Sequence, residues 1–147
     1  MQTINHQSGA ALFVSLIMLL VLTVIGVTAM RSAVLEEKMA ANTMNYNATF
    51  HAAESAIENA LDDTNSLVQA ILTEDVVTVN LDIGDSSITS NADVTFMGSG
   101  IAYGFSLGQN SSAFSSYRFD ATGTASRTNN GANVSMSQGV RRIGPNV

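Results

Sequence analysis

The sequence predicts an α+β fold in which a long N-terminal helix packs against a small antiparallel sheet. Three features predict it. No side chain carries a formal charge throughout residues 10–30. After Gly26 neither glycine nor proline occurs before Gly84, so a helix could continue far beyond the apolar run. From Val77 onwards, apolar and polar residues alternate, as they do in half-buried strands.

The apolar run, GAALFVSLIMLLVLTVIGVTAMR, has three interpretations. As a helix, residues 10–30 would span about 31 Å, the thickness of a bilayer's hydrocarbon core. A secretory signal cut after Val27-Thr28-Ala29 is one interpretation, but the leader MQTINHQSG has no basic residue and the run exceeds a typical signal core. A plain anchor is the second, and Arg31 and Lys38 after the run would weakly favour a cytoplasmic C-terminal side. The third is a retained helix that follows a short leader ending at Gly9.

The residues after the run continue the helical pattern. Apolar residues recur there at steps of three, four or seven and form one stripe: Leu35, Met39, Tyr46, Phe50, Ala53, Ile57, Ala60, Leu61, Val68 and Ile71. The pattern predicts one helix from about Ala10 to about Leu72. The face from Phe50 to Ile71 is expected to form the core of the small domain.

The second half of the chain predicts a sheet. Val77, Val79, Leu81 and Ile83 alternate with polar residues in a first strand, and Val94 and Phe96 indicate a second. A hairpin is predicted from residues 116–127 and 132–142, joined by a turn at Asn130-Gly131. Its expected cross-strand neighbours are Phe119 with Val140 and Ala125 with Val134.

The charge distribution argues against a nucleic-acid partner. The formal net charge is −6, and no Lys or Arg lies between Lys38 and Arg118, where nine acidic residues occur. Such a surface repels phosphate backbones. The chain has no cysteine, which excludes disulfides, thiol chemistry and cysteine metal sites.

No motif predicts catalysis. His51, Glu54 and Glu58 share one helix face and could hold a metal ion by their spacing, but a solvated helix face is the favoured interpretation. No nucleophile elbow occurs, and Gly98-Ser99-Gly100 does not open a predicted helix. We therefore predict a protein that is not an enzyme, with no catalytic, metal-binding or cofactor-binding residues and no cofactor.

Three stretches together resemble the PilX-type minor pilins of type IV pili. They are GAALFVSLIMLLVLTVIGVTAMR, LEEKMAAN and FHAAESAI, and they cover about the first 60 residues in register. The resemblance implies that a prepilin peptidase cuts after Gly9 and methylates Ala10, leaving the apolar helix attached. It divides the chain into a cleaved leader (residues 1–9), a transmembrane and assembly helix (10–30), an amphipathic helix continuing into the head (31–72) and the antiparallel sheet of the head (73–147).

Val14 departs from the pattern of the major pilins. In the pilin superfamily the fifth mature residue is usually Glu, which pairs with the free N-terminal amine of a neighbouring subunit. Counting from Ala10, that position is Val14. PilX-type pilins and the K-type pseudopilins of type II secretion share the missing acid. The resemblance therefore implies a place at the filament tip or in the priming complex.

The resemblance also implies a function, a location and partners. The chain would prime or cap a type IV pilus, a fibre that serves adhesion or twitching motility. It would cross the bacterial inner membrane once, with its head in the periplasm, and then enter the fibre. Its partners would be other minor and major pilins, the prepilin peptidase, the inner-membrane assembly platform and a large tip adhesin. Two alternatives are a K-like type II secretion pseudopilin and a secreted or anchored binding domain for adhesion.

Overall fold

The structure, a computed structural model, describes residues 8–102, 104, 114–128 and 131–145. The chain divides after Thr43 into two compact units, and helix α1 contributes residues to both. The predicted α+β class is confirmed. The described elements are α1 (Ser8–Asp62), α2 (Thr64–Thr73), β1 (Val77–Leu81), β2 (Ile88–Ile101), β3 (Phe114–Arg127) and β4 (Asn133–Pro145).

In the second unit, α1 buries a face of small side chains. The buried residues recur at steps of three and four, and they are Thr49, Ala52, Ala53, Ala56, Ile57, Ala60 and Leu61. The stripe predicted from the sequence was therefore partly wrong. Phe50 and Val68 were expected in the core, but both are exposed. The predicted Ala53 and Ala60 are buried, and the inward positions that the prediction missed are those of Thr49, Ala52 and Ala56. Small side chains let the helix lie closer to the sheet than a phenylalanine would allow.

The helix lies very close to the sheet at Gly123 in β3. A β-carbon added at Gly123 would stand 2.6 Å from the carbonyl oxygen of Ala53 and 2.6 Å from Cγ1 of Ile57. Real β-carbons essentially never approach other heavy atoms so closely. Glycine is therefore required at this position, because the helix backbone lies directly over the strand.

The helix expected to reach Leu72 is interrupted at Asp63. This residue has an extended backbone (φ −75°, ψ 100°), and its carboxylate accepts a hydrogen bond from the amide of Asn65 at 3.1 Å. The hydroxyl of Ser66 donates to the carbonyls of Ala60 and Asp63, each at 2.7 Å. These bonds satisfy groups that a helix end leaves unpaired, so the chain can stop one helix and start another without glycine or proline.

A side chain of the sheet also binds the end of α1. Arg142 of β4 donates from Nη2 to the carbonyl oxygen of Leu61 at 3.0 Å, and the same nitrogen lies 3.8 Å from Oδ1 of Asp62. The guanidinium thus bonds a carbonyl in the last turn of the helix. A cation at this end of a helix is favourable because the helix dipole is negative there.

The four strands form one antiparallel sheet in the order β1-β2-β3-β4. The predicted hairpin is confirmed, and its register pairs Phe119 with Val140 and Ala125 with Val134. Of its predicted turn residues, Asn130 lies outside the described part, and Gly131 has a left-handed φ of 68°. The second strand, β2, is longer than its two apolar residues indicated, since it pairs with both β1 and β3.

The outer face of the sheet is polar and carries cross-strand hydrogen bonds. The Thr78 hydroxyl donates to Oδ1 of Asp93 at 2.6 Å, and the Thr124 hydroxyl donates to the side-chain oxygen Oδ1 of Asn91 at 2.6 Å. These pairs explain why the polar start of β2 forms a strand. Cross-strand partners supply what apolar alternation does not.

The loop between β1 and β2 is tied to α1 within the second unit. Asp85 accepts hydrogen bonds from the Ser87 hydroxyl at 2.7 Å and the Ser87 amide at 2.9 Å. Arg127 bonds Asn45 at 3.0 Å and lies 3.4 Å from the other carboxylate oxygen of Asp85. The hydrogen bonds from the Ser87 hydroxyl and then the Ser87 amide lower the pKa of Asp85 below its ordinary value. Desolvation opposes them, and the Arg127 charge makes the smallest contribution to the lowering.

This lowered pKa predicts a pH dependence of stability. A depressed pKa in the folded state contributes stability above the unfolded pKa, about 3.9 for Asp, and loses it as the pH falls through the folded value. We expect the thermal midpoint of the full chain in detergent to fall less below about pH 4 in Asp85→Asn than in the unchanged protein. Ser87→Ala, which removes the shortest bond to the carboxylate, should give an intermediate slope. Identical slopes in all three proteins would contradict the assignment.

Candidate functional site

The apolar segment of α1, residues 10–30, leaves its entire surface uncovered. Every residue from 10 to 44 is exposed in the described structure, and Leu22 is 74% accessible. The large apolar side chains occur on all sides of the helix rather than on one stripe. A surface of this kind requires lipid or other helices around it, because water contact with so many apolar side chains is unfavourable.

The hydroxyl groups in this segment are satisfied by the helix itself. Ser15 donates to the carbonyl of Leu12 at 2.8 Å, and Thr23 donates to the carbonyl of Leu20 at 2.7 Å. The Thr28 hydroxyl lies 2.8 Å from the Ile25 carbonyl. Since no hydroxyl there needs water as a partner, these residues do not oppose burial in an apolar medium.

The segment is long enough to cross a membrane. Within the described residues, one helix meets that criterion by length and composition, and none of its most apolar window is buried. At the usual rise, residues 10–30 span about 31 Å, close to the hydrocarbon core of a bilayer. Gly26 lies within uninterrupted α-helix.

Gly9, Ala10 and Val14 lie at the N-terminal end of α1, which begins at Ser8. Ala10 and Val14 are four residues apart, so they lie on one helix face, and both are exposed. Val14 contributes no charge to this surface. The nearest charged residue that follows along the helix is Arg31.

The structure brings His51 and Glu54 together without forming a metal site. His51 Nδ1 lies 3.2 Å from Oε2 of Glu54, and both side chains are well exposed. Glu58, on the same face, is exposed too. Across the described ranges, no group of three or more His, Asp or Glu side chains could hold a metal ion.

The sequence did not predict that two arginines of the sheet lie side by side. Arg118 of β3 and Arg141 of β4 are directly opposite each other, and both are exposed. The signal was present, because the predicted pairing of Phe119 with Val140 places these two residues in register. It was missed because the two lie in separate strands and form no local motif.

The comparison with known proteins matches the apolar helix and its continuation. Residues 8–58, about a third of the chain, match the family model described as PilX N-terminal. No curated protein and no solved structure matches the chain significantly. The matched segment contains the uncovered apolar surface and the first turns of the buried alanine face. In this segment the chain is similar to the N-terminal part of the PilX-type pilins of type IV pili.

Proposed function

We propose that the chain is a minor pilin that primes or caps type IV pilus assembly as part of a tip or initiation complex, without catalysing a reaction. The observation that carries the proposal is the uncovered apolar surface of residues 10–30, within a segment that matches the PilX N-terminal family. PilX-type pilins are structural subunits of type IV pili. A surface that is apolar all round suits both lipid and a bundle of subunit helices.

In this proposal the chain is first processed in the membrane and then assembled into the fibre. A prepilin peptidase removes residues 1–9 by cutting after Gly9 and methylates Ala10, while residues 10–30 hold the chain in the inner membrane. The same residues then pack against helices of other minor and major pilins in the fibre. Lipid is already apolar, so transfer gains little hydrophobic free energy and close packing must guide it. The inner-membrane assembly platform would supply the work of extraction.

The remaining residues form the part of the subunit that leaves the membrane. In this proposal residues 31–72 continue the helix into the periplasmic head, and residues 73–147 form the part of the head that contains the sheet. This head would contact neighbouring subunits and a large tip adhesin. Such a role requires a stable surface rather than a reactive site, which fits the absence of a catalytic motif in the sequence.

The tip position rests on Val14. An acid at this place would receive the amine of a neighbouring subunit, and a buried amine without a partner is unfavourable. A subunit with valine there cannot neutralise the incoming amine. We therefore place it where no neighbour delivers one, in the priming complex or at the tip.

The N-terminal mass of the mature protein tests the processing. We expect a chain that begins at methylated Ala10. A start at Met30 would show conventional signal-peptidase cleavage and contradict the proposal. A start at Met1 would instead favour a plain membrane anchor. Mass spectrometry of protein purified from membranes separates these three outcomes directly.

Immunogold labelling tests the tip position. We expect label on the unchanged protein at fibre ends, and label on Val14→Glu along the fibre length, because the new carboxylate can pair with a neighbour's amine. Val14→Gln, which is polar but uncharged, is the matched control and should remain at the ends. Even labelling along the fibre with both the unchanged protein and Val14→Glu would disprove the tip assignment.

A further inference from the structure

Arg118 and Arg141 form an exposed pair of like charges. They are cross-strand partners in the β3-β4 register, and side chains at such positions are near neighbours on one face of the sheet. Like charges placed directly opposite each other oppose folding. The fold therefore tolerates an unfavourable arrangement at this point of the sheet.

The other arginines of the second unit are engaged within it. Arg127 bonds Asn45 and Asp85, and Arg142 bonds the end of α1. By contrast, in the part of the chain that the structure describes, no carboxylate oxygen lies within 4.0 Å of the guanidinium of Arg118 or Arg141. Asp120, on the same face, accepts a hydrogen bond from the Ser137 hydroxyl at 2.8 Å instead.

The surface around the pair is open. Gly98 of β2 is the cross-strand partner of Arg118 on its other side, and Gly139 precedes Arg141 by two residues on the same face. A β-carbon added at either glycine would meet nothing within 4 Å. The result is an open groove of about 530 Å³ whose lining includes Met97, both arginines, Asp120 and Gly139.

The composition of the groove favours a protein partner. Met97 is 61% accessible at the β-bulge in β2, and exposed Ile143 follows Arg141 on the same face. Arginine and methionine are enriched at protein interfaces, where apolar contacts surround a few charged ones. An extended polyanion would need a long basic track, but here Asp120 and Asp93 share the face of the sheet with the two arginines.

We propose that this groove, named here the arginine groove, binds paired carboxylates on the surface of another protein subunit. A guanidinium and a carboxylate form two parallel hydrogen bonds, so two adjacent arginines suit two adjacent acidic side chains. Binding would also relieve the repulsion between the arginines. The inference goes beyond the proposed function, because it holds wherever in a filament the subunit lies.

Site-specific photo-crosslinking of the full chain in its own membrane tests the proposal. Benzoylphenylalanine at Gly139 places the probe in the groove, where the space is open. We expect an adduct whose cross-linked peptide carries at least two Asp or Glu residues within one helical turn or on one strand face. Arg118→Ser with Arg141→Ser should reduce the adduct at least about fivefold. Arg118→Lys with Arg141→Lys should retain part of it, because lysine keeps the charge and loses the paired geometry.

Two controls separate binding from folding. The double serine variant should melt no lower than the unchanged protein, because it removes opposed like charges from an exposed face. Replacing the partner's acids with lysine should restore the adduct to Arg118→Glu with Arg141→Glu. An undiminished adduct in the serine variant, a cross-linked peptide without acidic residues, a lipid adduct or no adduct would each overturn the proposal. The N-terminal mass is independent of all these outcomes, so failure here leaves the pilin proposal standing.

Discussion

Gly123→Val is expected to lower the free energy of unfolding of the second unit by at least about 3 kcal/mol, or to prevent its folding. The β-carbon of valine would stand 2.6 Å from the Ala53 carbonyl oxygen and from Cγ1 of Ile57. A flexible side chain could rotate away, but a helix backbone carbonyl cannot. The helix would have to lift from the sheet and open space beside the alanine face, which loses packing along several turns.

Gly139→Ala is the matched control for this substitution. Gly139 also lies in an antiparallel strand of the same sheet, but a β-carbon there meets nothing within 4 Å. We expect a change within about 0.5 kcal/mol, or a small gain from the more restricted unfolded chain. Unfolding of the full chain in detergent, followed by pulse proteolysis, measures both variants. Equal stability of the two variants would show that helix and sheet are not in backbone contact at Gly123.

The difference between these two glycines illustrates what the sequence could predict. The hairpin register followed from local alternation and a short turn, so Phe119 and Val140 were paired correctly. The buried helix face followed only in part, because hydrophobicity favoured Phe50 over Thr49. Which face turns inward depends on how closely the sheet approaches. That distance is set by Gly123, far along the chain.

The helix break at Asp63 could not be predicted from the sequence either. The neighbouring residues contain no glycine or proline, so the periodic pattern seemed to continue to Leu72. The break depends on side chains that bond the backbone, namely Asp63 to Asn65 and Ser66 to Ala60. Aspartate and serine act as helix caps only where the chain turns, and their presence in a sequence does not by itself mark an end.

Some features of the candidate site could likewise be predicted from the sequence, and others could not. The uncovered surface of residues 10–30 follows from composition, because no domain of this size could bury an apolar segment on all sides. The roles of Gly9, Ala10 and Val14 rest on family resemblance and stay predictions. The arginine groove depends on the alignment of three strands and on the bulge at Met97. No local sequence motif indicates either feature.

Phe119→Ala is expected to lower the free energy of unfolding of the second unit by about 3–5 kcal/mol. Phe119 is 3% accessible, and its ring centroid lies 5.8 Å from that of Phe96 in a tilted arrangement. Truncation removes a large buried side chain from β3 and leaves a cavity that a rigid sheet fills poorly. Phe119→Leu keeps much of the volume and should lose about 1–2 kcal/mol.

Phe114→Ala is the control, because Phe114 lies at the start of the same strand and is 44% accessible. We expect it to lose less than about 1 kcal/mol in the same pulse-proteolysis measurement. The comparison also separates the two parts of the proposed function. Cleavage after Gly9 depends on residues far from Phe119 in the chain. The Phe119→Ala protein should therefore still have methylated Ala10 as its N-terminus, although its head is degraded. If the N-terminal cut failed as well, processing would require a folded head, and the two-stage proposal would need the head to fold before the leader is removed.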